Sequence, residues 1–324
     1  MAQAAPQTAR EYGMNISSWL RRGLSQKTRR TMQGFVGGGI IVICGMFDGV
    51  HQGHRALINA AREIGQPLAV TFNPPPKPTL LIQPLRERVA LLEKTGAQVE
   101  ILQCDEAFLA MQAEEFLQSL CKRLPVKGFV CGENHHFGAG GRGNAETLRS
   151  FCSRQGLAFK TVPPVIVEGR PLSSSAIREA LTQGDMENAA KMLGRAYSYT
   201  QAVTPGRGIA GANGVPTANL ALNKNLVKPA NGVYACSAII DRKKITAVAN
   251  IGAGPTIGDN RPERIEVHLL TPLEKPLEGQ QITVLFHKKL REECVFENTE
   301  ALFTQIRRDA EAALLYNSRG VLIE

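Results

Sequence analysis

The chain has 324 residues, 43% of them hydrophobic, enough for one large domain or two ordinary ones with real cores. Its apolar runs are too short, and in "FVGGGIIVIC" too rich in glycine, to cross a bilayer, which excludes an integral helical membrane protein. The net charge of +9 permits an anionic partner, but +5 of it falls within residues 1–30, leaving +4 for the other 294.

That basic N-terminal stretch, with "NISSWLRRGLSQKTRR", reads as a solvated extension over residues 1–37. An amphipathic surface helix or a weak membrane-surface contact remains open to it. The seven cysteines are scattered without a CxxC pair and no signal peptide is evident, so a reducing, cytoplasmic setting is expected.

From residue 38 the hydrophobic period switches repeatedly. Strands are expected at 39–45, 68–72, 98–103, 127–132 and 158–167, and helices at 52–64, 84–95, 112–123 and 145–155. Such alternation predicts an α/β domain, a parallel sheet covered by helices. Two more helices are expected at 174–182 and 185–193. Past "LGRAYSYT" the texture changes to short strand-like runs, "GVYACSAII", "KITAVANIG", "RIEVHLL" and "QITVLF", separated by Gly, Pro and Asn. This pattern predicts an antiparallel barrel or sandwich, followed by a C-terminal helix in "NTEALFTQIRRDAEAALLY". The domain boundary is expected near 195, giving 38–194 and 195–324.

Several residues stand out as chemistry. "GMFDGVHQGH" leaves the first strand through Gly45, Phe47, Asp48 and Gly49 and sets His51 and His54 three apart at a helix start. In a parallel α/β domain that crossing faces the ligand, where helix N-termini and imidazoles can hold phosphate oxygens. Other readings are half of a metal site, which no local acidic or Cys ligand completes, or helix-start residues with no chemistry. In "PLSSSAIREAL", Ser173 and Ser174 run into a helix with Ile177 inward and Arg178 outward. They are either caps or, with Arg178, a second phosphate-binding end. Cys131, His135 and His136 invite a metal reading, but glycines bound this loop and a nucleotide or flavin loop suits it better. In "GVPTANL", Thr217 and Asn219 share one side of an extended segment and could bind Mg²⁺ or phosphate, or simply start a strand. Glu266 opens "IEVHLL" as a general base or as an edge glutamate facing water.

Taken in order, these stretches resemble the bacterial bifunctional riboflavin kinase and FAD synthetase family, within the adenylyl-transferring nucleotidyltransferases. The likeness runs from about residue 39 to 316. It includes "AVTFNPPP", "VCGENHHFGAGGRGN", "GDMENAAKMLGRAYS", "GVYA", "VANIGAGPTIG", "EVHLL" and "FHKKLREECVF". The resemblance implies a Rossmann-like nucleotidyltransferase domain followed by a riboflavin-kinase-like β-barrel. It implies adenylyl transfer from ATP to FMN in the first domain, phosphorylation of riboflavin in the second, and Mg²⁺ in both. Partners are then ATP and flavins, with no nucleic acid.

By the same resemblance, His51, His54 and Arg178 act on the ATP phosphates. Gly45, Phe47, Asp48 and Gly49 shape their loop, and Ser173 and Ser174 hold the β- and γ-phosphates. Thr217 and Asn219 hold Mg²⁺ and phosphate, and Glu266 is the base on the ribityl 5′-hydroxyl. Asn134 stands where the family has Asp, His135 and His136 replace Phe and its neighbour, and Pro75 replaces a histidine. The family's basic run before Pro-Thr-Ala-Asn reads Ile209 to Val215 here, with Arg207 just upstream, and Pro276 to Gly279 replaces its Asp-Leu-Tyr-Gly. Those departures leave open a monofunctional FAD synthetase with a kinase-inactive barrel. A non-catalytic flavin or nucleic-acid binder using the N-terminus is the remaining reading.

Overall fold

From residue 39 strand and helix alternate as the changing period requires. Strands β1 (Ile40–Cys44), β2 (Gln66–Phe72), β3 (Gln98–Gln103), β4 (Val126–Gly132) and β5 (Ala158–Val162) pair in parallel in the order β3-β2-β1-β4-β5. Met14–Asn15 adds a short parallel pairing outside β3. The computed structural model describes residues 14–15, 39–205, 216–252, 263–273 and 276–318. The rest of the basic extension and the Ile209 to Val215 run lie outside the described residues.

The sheet is covered by α1 (Gln52–Arg62), α2 (Leu85–Lys94), α3 (Glu106–Ala110), α4 (Ala113–Arg123) and α5 (Ala145–Gln155). Along β1 the side chains alternate between two cores. Ile40 and Val42 join Phe116, Leu120 and Phe151, while Ile41 and Ile43 join Ile58, Ala61 and Leu92. Burial on both faces explains why this strand reads as an unbroken apolar run. With this strand order the chain's winding reverses between β1 and β4, so the crevice beyond their carboxyl ends is the expected ligand position.

Two local features differ from the sequence reading. The strand expected over 158–167 ends at Val162, because Pro163 and Pro164 have no amide to continue the ladder. Ile166–Val167 pairs instead with Arg170–Pro171 as a small antiparallel ribbon. The short helix α3 was not anticipated. At one and a half turns it is too brief for a helical period to register, though Asp105 caps it by accepting from the Phe108 amide.

The second half opens with α6 (Ser174–Gln183) and α7 (Met186–Leu193). It continues through β6 (Tyr197–Thr204), β7 (Thr217–Ala221), β8 (Gly232–Ile240), β9 (Lys243–Gly252), β10 (Arg264–Leu269) and β11 (Gln281–Arg291) to α8 (Thr299–Ser318). The strands close an antiparallel barrel in the order β6-β7-β10-β9-β8-β11, so the choice between barrel and sandwich falls to the barrel. Its inner face carries Tyr197, Tyr234 and Phe286, with ring centroids 5.9 and 5.5 Å from Phe286. Its outer face packs α8 through Val233, Ala235, Val248 and Ala313.

By internal contacts the chain forms two compact units. One holds the described residues up to Thr79 together with Pro84–Leu172; the other holds Leu80–Gln83 and the described residues from Ser173 onward. Leu81 is tied into the second unit through the Asn225 carbonyl and the Val227 amide, at 3.0 and 2.8 Å. Among the described residues no helix is long and apolar enough to cross a membrane.

Candidate functional site

In the first unit, β1 hands over to α1 through a loop of unusual backbone. Phe47, Gly49 and Val50 all have positive φ, at 51°, 83° and 40°. For a β-branched residue such as Val50 this conformation is costly and must be held by its surroundings. Phe47 and Val50 are fully buried, and the Val50 amide closes the turn on the Phe47 carbonyl at 3.0 Å. Thr71 at the end of β2 adds a tie, its hydroxyl donating to the Met46 carbonyl at 3.1 Å.

This loop delivers His51 as the residue before α1. Its side chain does not cap the helix but lies against His54, with ring centroids 3.6 Å apart and planes 19° from parallel. Phe47 meets His54 edge-on at 5.2 Å. Gly53 makes the pair feasible, since a Cβ there would sit 3.1 Å from the His51 ring. The result is two imidazoles stacked at the head of a helix beside the crevice; Asp48 of the same loop is buried at 3% exposure. Sequence reasoning missed Arg88, which is wholly buried and donates from Nη2 to the Phe72 carbonyl at 2.9 Å. Burial pulls its pKa below the ordinary arginine value, and the negative charge of Asp48 opposes that shift.

The loop after β4 stands across the same crevice. The His135 amide donates to the Gly132 carbonyl at 3.1 Å, and His136 Nδ1 lies 3.0 Å from the carbonyl of the exposed Asn134. His135 stacks on Phe137, centroids 5.5 Å apart. Both line a pocket with Cys44, Cys131 and Phe116. Burial pushes the His135 pKa down to about 4, with His136 adding to the shift, so this imidazole is neutral near pH 7. Burial also pushes Cys44 up to about 12 and Cys131 up to about 11, so both present uncharged thiols. The pocket is a small void whose other walls are core side chains, among them Val42, Leu117, Phe129 and Leu148. Among the described residues no group of His, Cys, Asp or Glu is placed to hold a metal ion.

Ser173, Ser174 and Arg178 belong to the second contact unit. The Ser173 hydroxyl caps α6, accepting from the Ala176 amide at 3.2 Å, which leaves its own proton for another acceptor. Ile177 is fully buried, as its inward placement requires, and Arg178 Nη2 donates to the Ser175 hydroxyl at 3.2 Å.

On the barrel, register brings the remaining candidates together. Asn219 on β7 stands opposite Glu266 on β10, which stands opposite Asn250 on β9, a row of three across the outer face. One step along, Thr217 stands opposite His268, its hydroxyl 2.9 Å from Nδ1. Burial lowers the His268 pKa, opposed by Glu266 and Asp309. Arg264 Nε donates to Glu266 Oε1 at 2.7 Å and fixes that carboxylate. Arg264 and Asn250 were not singled out from sequence, although both sit at even spacing from Glu266 or across a ladder from it. The hydroxyl and amide oxygens of Thr217 and Asn219 are hard donors of the kind Mg²⁺ selects, so this pair fits that ion by chemistry.

Two family models match the chain: FAD synthetase over residues 37–176 and riboflavin kinase over 193–316. A bifunctional riboflavin kinase/FMN adenylyltransferase of Pseudomonas fluorescens is 34% identical over 288 residues, covering 85% of this chain and 92% of its own. One from Bacillus subtilis is 33% identical over 295 residues, with 86% and 92% covered. A crystal structure of a Streptococcus pneumoniae protein described as a macrolide-efflux protein superimposes with a TM-score of 0.76 at 28% identity, covering 86% of this chain and 95% of that one. With both halves matched and relatives aligned along most of its length, the chain belongs to the bifunctional riboflavin kinase/FMN adenylyltransferase family.

Proposed function

We propose that the chain makes FMN from riboflavin on its barrel and FAD from FMN through the β1 loop, each at the expense of ATP. The observation that carries the reading is the stacked pair His51 and His54, at the head of α1 beside the β1/β4 crevice. In adenylyl transfer an FMN phosphate oxygen attacks the α-phosphorus of ATP. The bond to the β-phosphate oxygen breaks, and pyrophosphate leaves. No covalent enzyme intermediate is needed, so the protein's work is alignment and charge stabilisation. Stacked imidazoles beside a helix N-terminus supply donors where charge builds. Ser173, Ser174 and Arg178 hold the departing phosphates, Gly45, Phe47, Asp48 and Gly49 fix the loop, and Asn134 closes the flavin side.

On the barrel, Glu266 takes the proton of the ribityl 5′-hydroxyl as its oxygen attacks the γ-phosphorus, and ADP leaves. Arg264 holds that carboxylate in place. Thr217 and Asn219 would hold Mg²⁺, which supplies charge neutralisation on the phosphates when bound. The domain limits 38–194 and 195–324 follow the sequence roles and assign α6 to the adenylyl-transfer half. Seven free cysteines support a reducing, cytoplasmic setting.

The test is direct. The pure chain is incubated with ATP, Mg²⁺ and either riboflavin or FMN, and the flavins are separated by chromatography. FMN and FAD are expected from riboflavin, and FAD from FMN. FAD from FMN without any FMN from riboflavin would overturn the kinase half and leave the barrel an inactive appendage.

A further inference from the structure

On the outer face of the barrel, Asn250 is held in a way that the roles above do not use. Its Nδ2 donates to Glu293 Oε1 at 3.1 Å, while its Oδ1 is buried and has no hydrogen-bond partner. The orientation is fixed chemically. A carboxylate accepts and does not donate, so the amide group facing Glu293 must be the NH₂, and the oxygen points the other way. Glu293 reaches this position over Gly252, where any Cβ would overlap its carboxylate. A buried acceptor left empty is costly to a fold, and this one is fixed beside the carboxylate assigned as base.

The neighbourhood defines the ligand. Asn250 is the direct cross-strand partner of Glu266, and side chains paired in this way lie roughly 5 Å apart at Cβ. Two groups this close can meet neighbouring hydroxyls of one ligand. Glu266 Oε1 is engaged by Arg264. The geometry therefore points to a specificity role: Asn250 Oδ1 accepts a hydrogen bond from a second hydroxyl of the acceptor's polyol chain while Glu266 faces the reacting one, and Glu293 sets the amide's direction. The substrate class is a polyol with adjacent hydroxyls, such as the ribityl chain. This deepens the kinase reading and rests on it.

The experiment measures FMN formation by the full chain with riboflavin and with analogues that each lack one non-reacting ribityl hydroxyl. Asn250→Ala is expected to lower kcat/KM for riboflavin about tenfold, the worth of one neutral hydrogen bond with its lost partner. The KM for ATP and the rate of FAD formation from FMN should stay unchanged. For one deoxy analogue, Asn250→Ala and the unsubstituted chain should become equal. Glu293→Gln keeps an acceptor for the amide and should stay within about twofold, whereas Glu293→Ala should reproduce part of the loss. An equal loss on riboflavin and on every analogue would mark mere packing and overturn the inference. A silent Asn250→Ala beside an inactive Glu266→Gln would overturn it while sparing the kinase reading. A chain that makes no FMN from riboflavin would overturn both.

Discussion

His51 and His54 lie face to face at 3.6 Å, and the residue between them that permits this is Gly53. Replacing that glycine separates helix stability from chemistry. Gly53→Ala raises helix propensity by about 1 kcal/mol, so Tm should hold or rise. The added methyl presses on the His51 ring, and displacing this proposed phosphate contact by a few tenths of an ångström should lower FAD formation roughly tenfold. FMN formation on the barrel should not change. A variant with full adenylyl transfer would show that the stacking is incidental.

On the proposed reading, His51→Ala and His54→Ala each remove a donor to the reacting phosphates. Each should cut kcat for FAD formation roughly 100-fold, as loss of one transition-state donor does. Riboflavin phosphorylation, assayed on the same preparation, serves as the control for folding.

Glu266→Gln should lower kcat for FMN formation between about 10² and 10⁴-fold with little change in KM, the signature of a lost base. Arg264→Ala leaves the carboxylate in place but frees it, and should cost no more than about tenfold. Equal losses in the two variants would assign the chemistry to the ion pair as a unit.

Acid should destabilise the chain in a defined window. Burial holds His287 down to about 4, with Lys244 adding to the shift; its Nε2 lies 2.9 Å from the Ser237 hydroxyl. His135 is likewise held to about 4. For both, the unfolded chain binds a proton more readily than the folded one. Their contribution is therefore complete above about pH 6.5 and falls away as pH drops toward about 4. At most about 3 kcal/mol per histidine is at stake. Urea unfolding at stepped pH should show this decline, and His287→Gln should flatten the part that belongs to the barrel.

Arg88 offers a test of the loop's foundation. Arg88→Met removes a fully buried cation that bonds the Phe72 carbonyl and offsets the charge of Asp48. Losing that charge and its bond to the Phe72 carbonyl should cost on the order of 3 kcal/mol and lower FAD formation more than FMN formation. Unfolding curves combined with the two assays check it.

Much of this could be read from the letters. Ile40 to Cys44 announce a strand buried on both faces, and Gly, Asp and Gly before His51 announce a loop at its ligand end. Spacing and family likeness single out Thr217, Asn219 and Glu266, and register explains why they stand on one face. What escaped depends on distance along the chain. Arg88 looks like any surface arginine of an amphipathic helix, because nothing local reveals that it lies under Phe72. Asn250 and Glu293 are 43 residues apart and meet only because β9 and the end of β11 come together at Gly252. The proline break at 163–164 was visible as composition, yet the apolar residues on either side masked it.

The alternation along β10 carries a lesson about how such a barrel can change. Ile265, Val267 and Leu269 are sealed inside, while Arg264, Glu266 and His268 face outward. Folding and the proposed phosphoryl transfer are thus written on odd and even letters of one short word. Drift in the outward letters can retune or extinguish the reaction without unfolding the chain. A single inserted or deleted residue ahead of Arg264 would exchange the two sets and forfeit both at once.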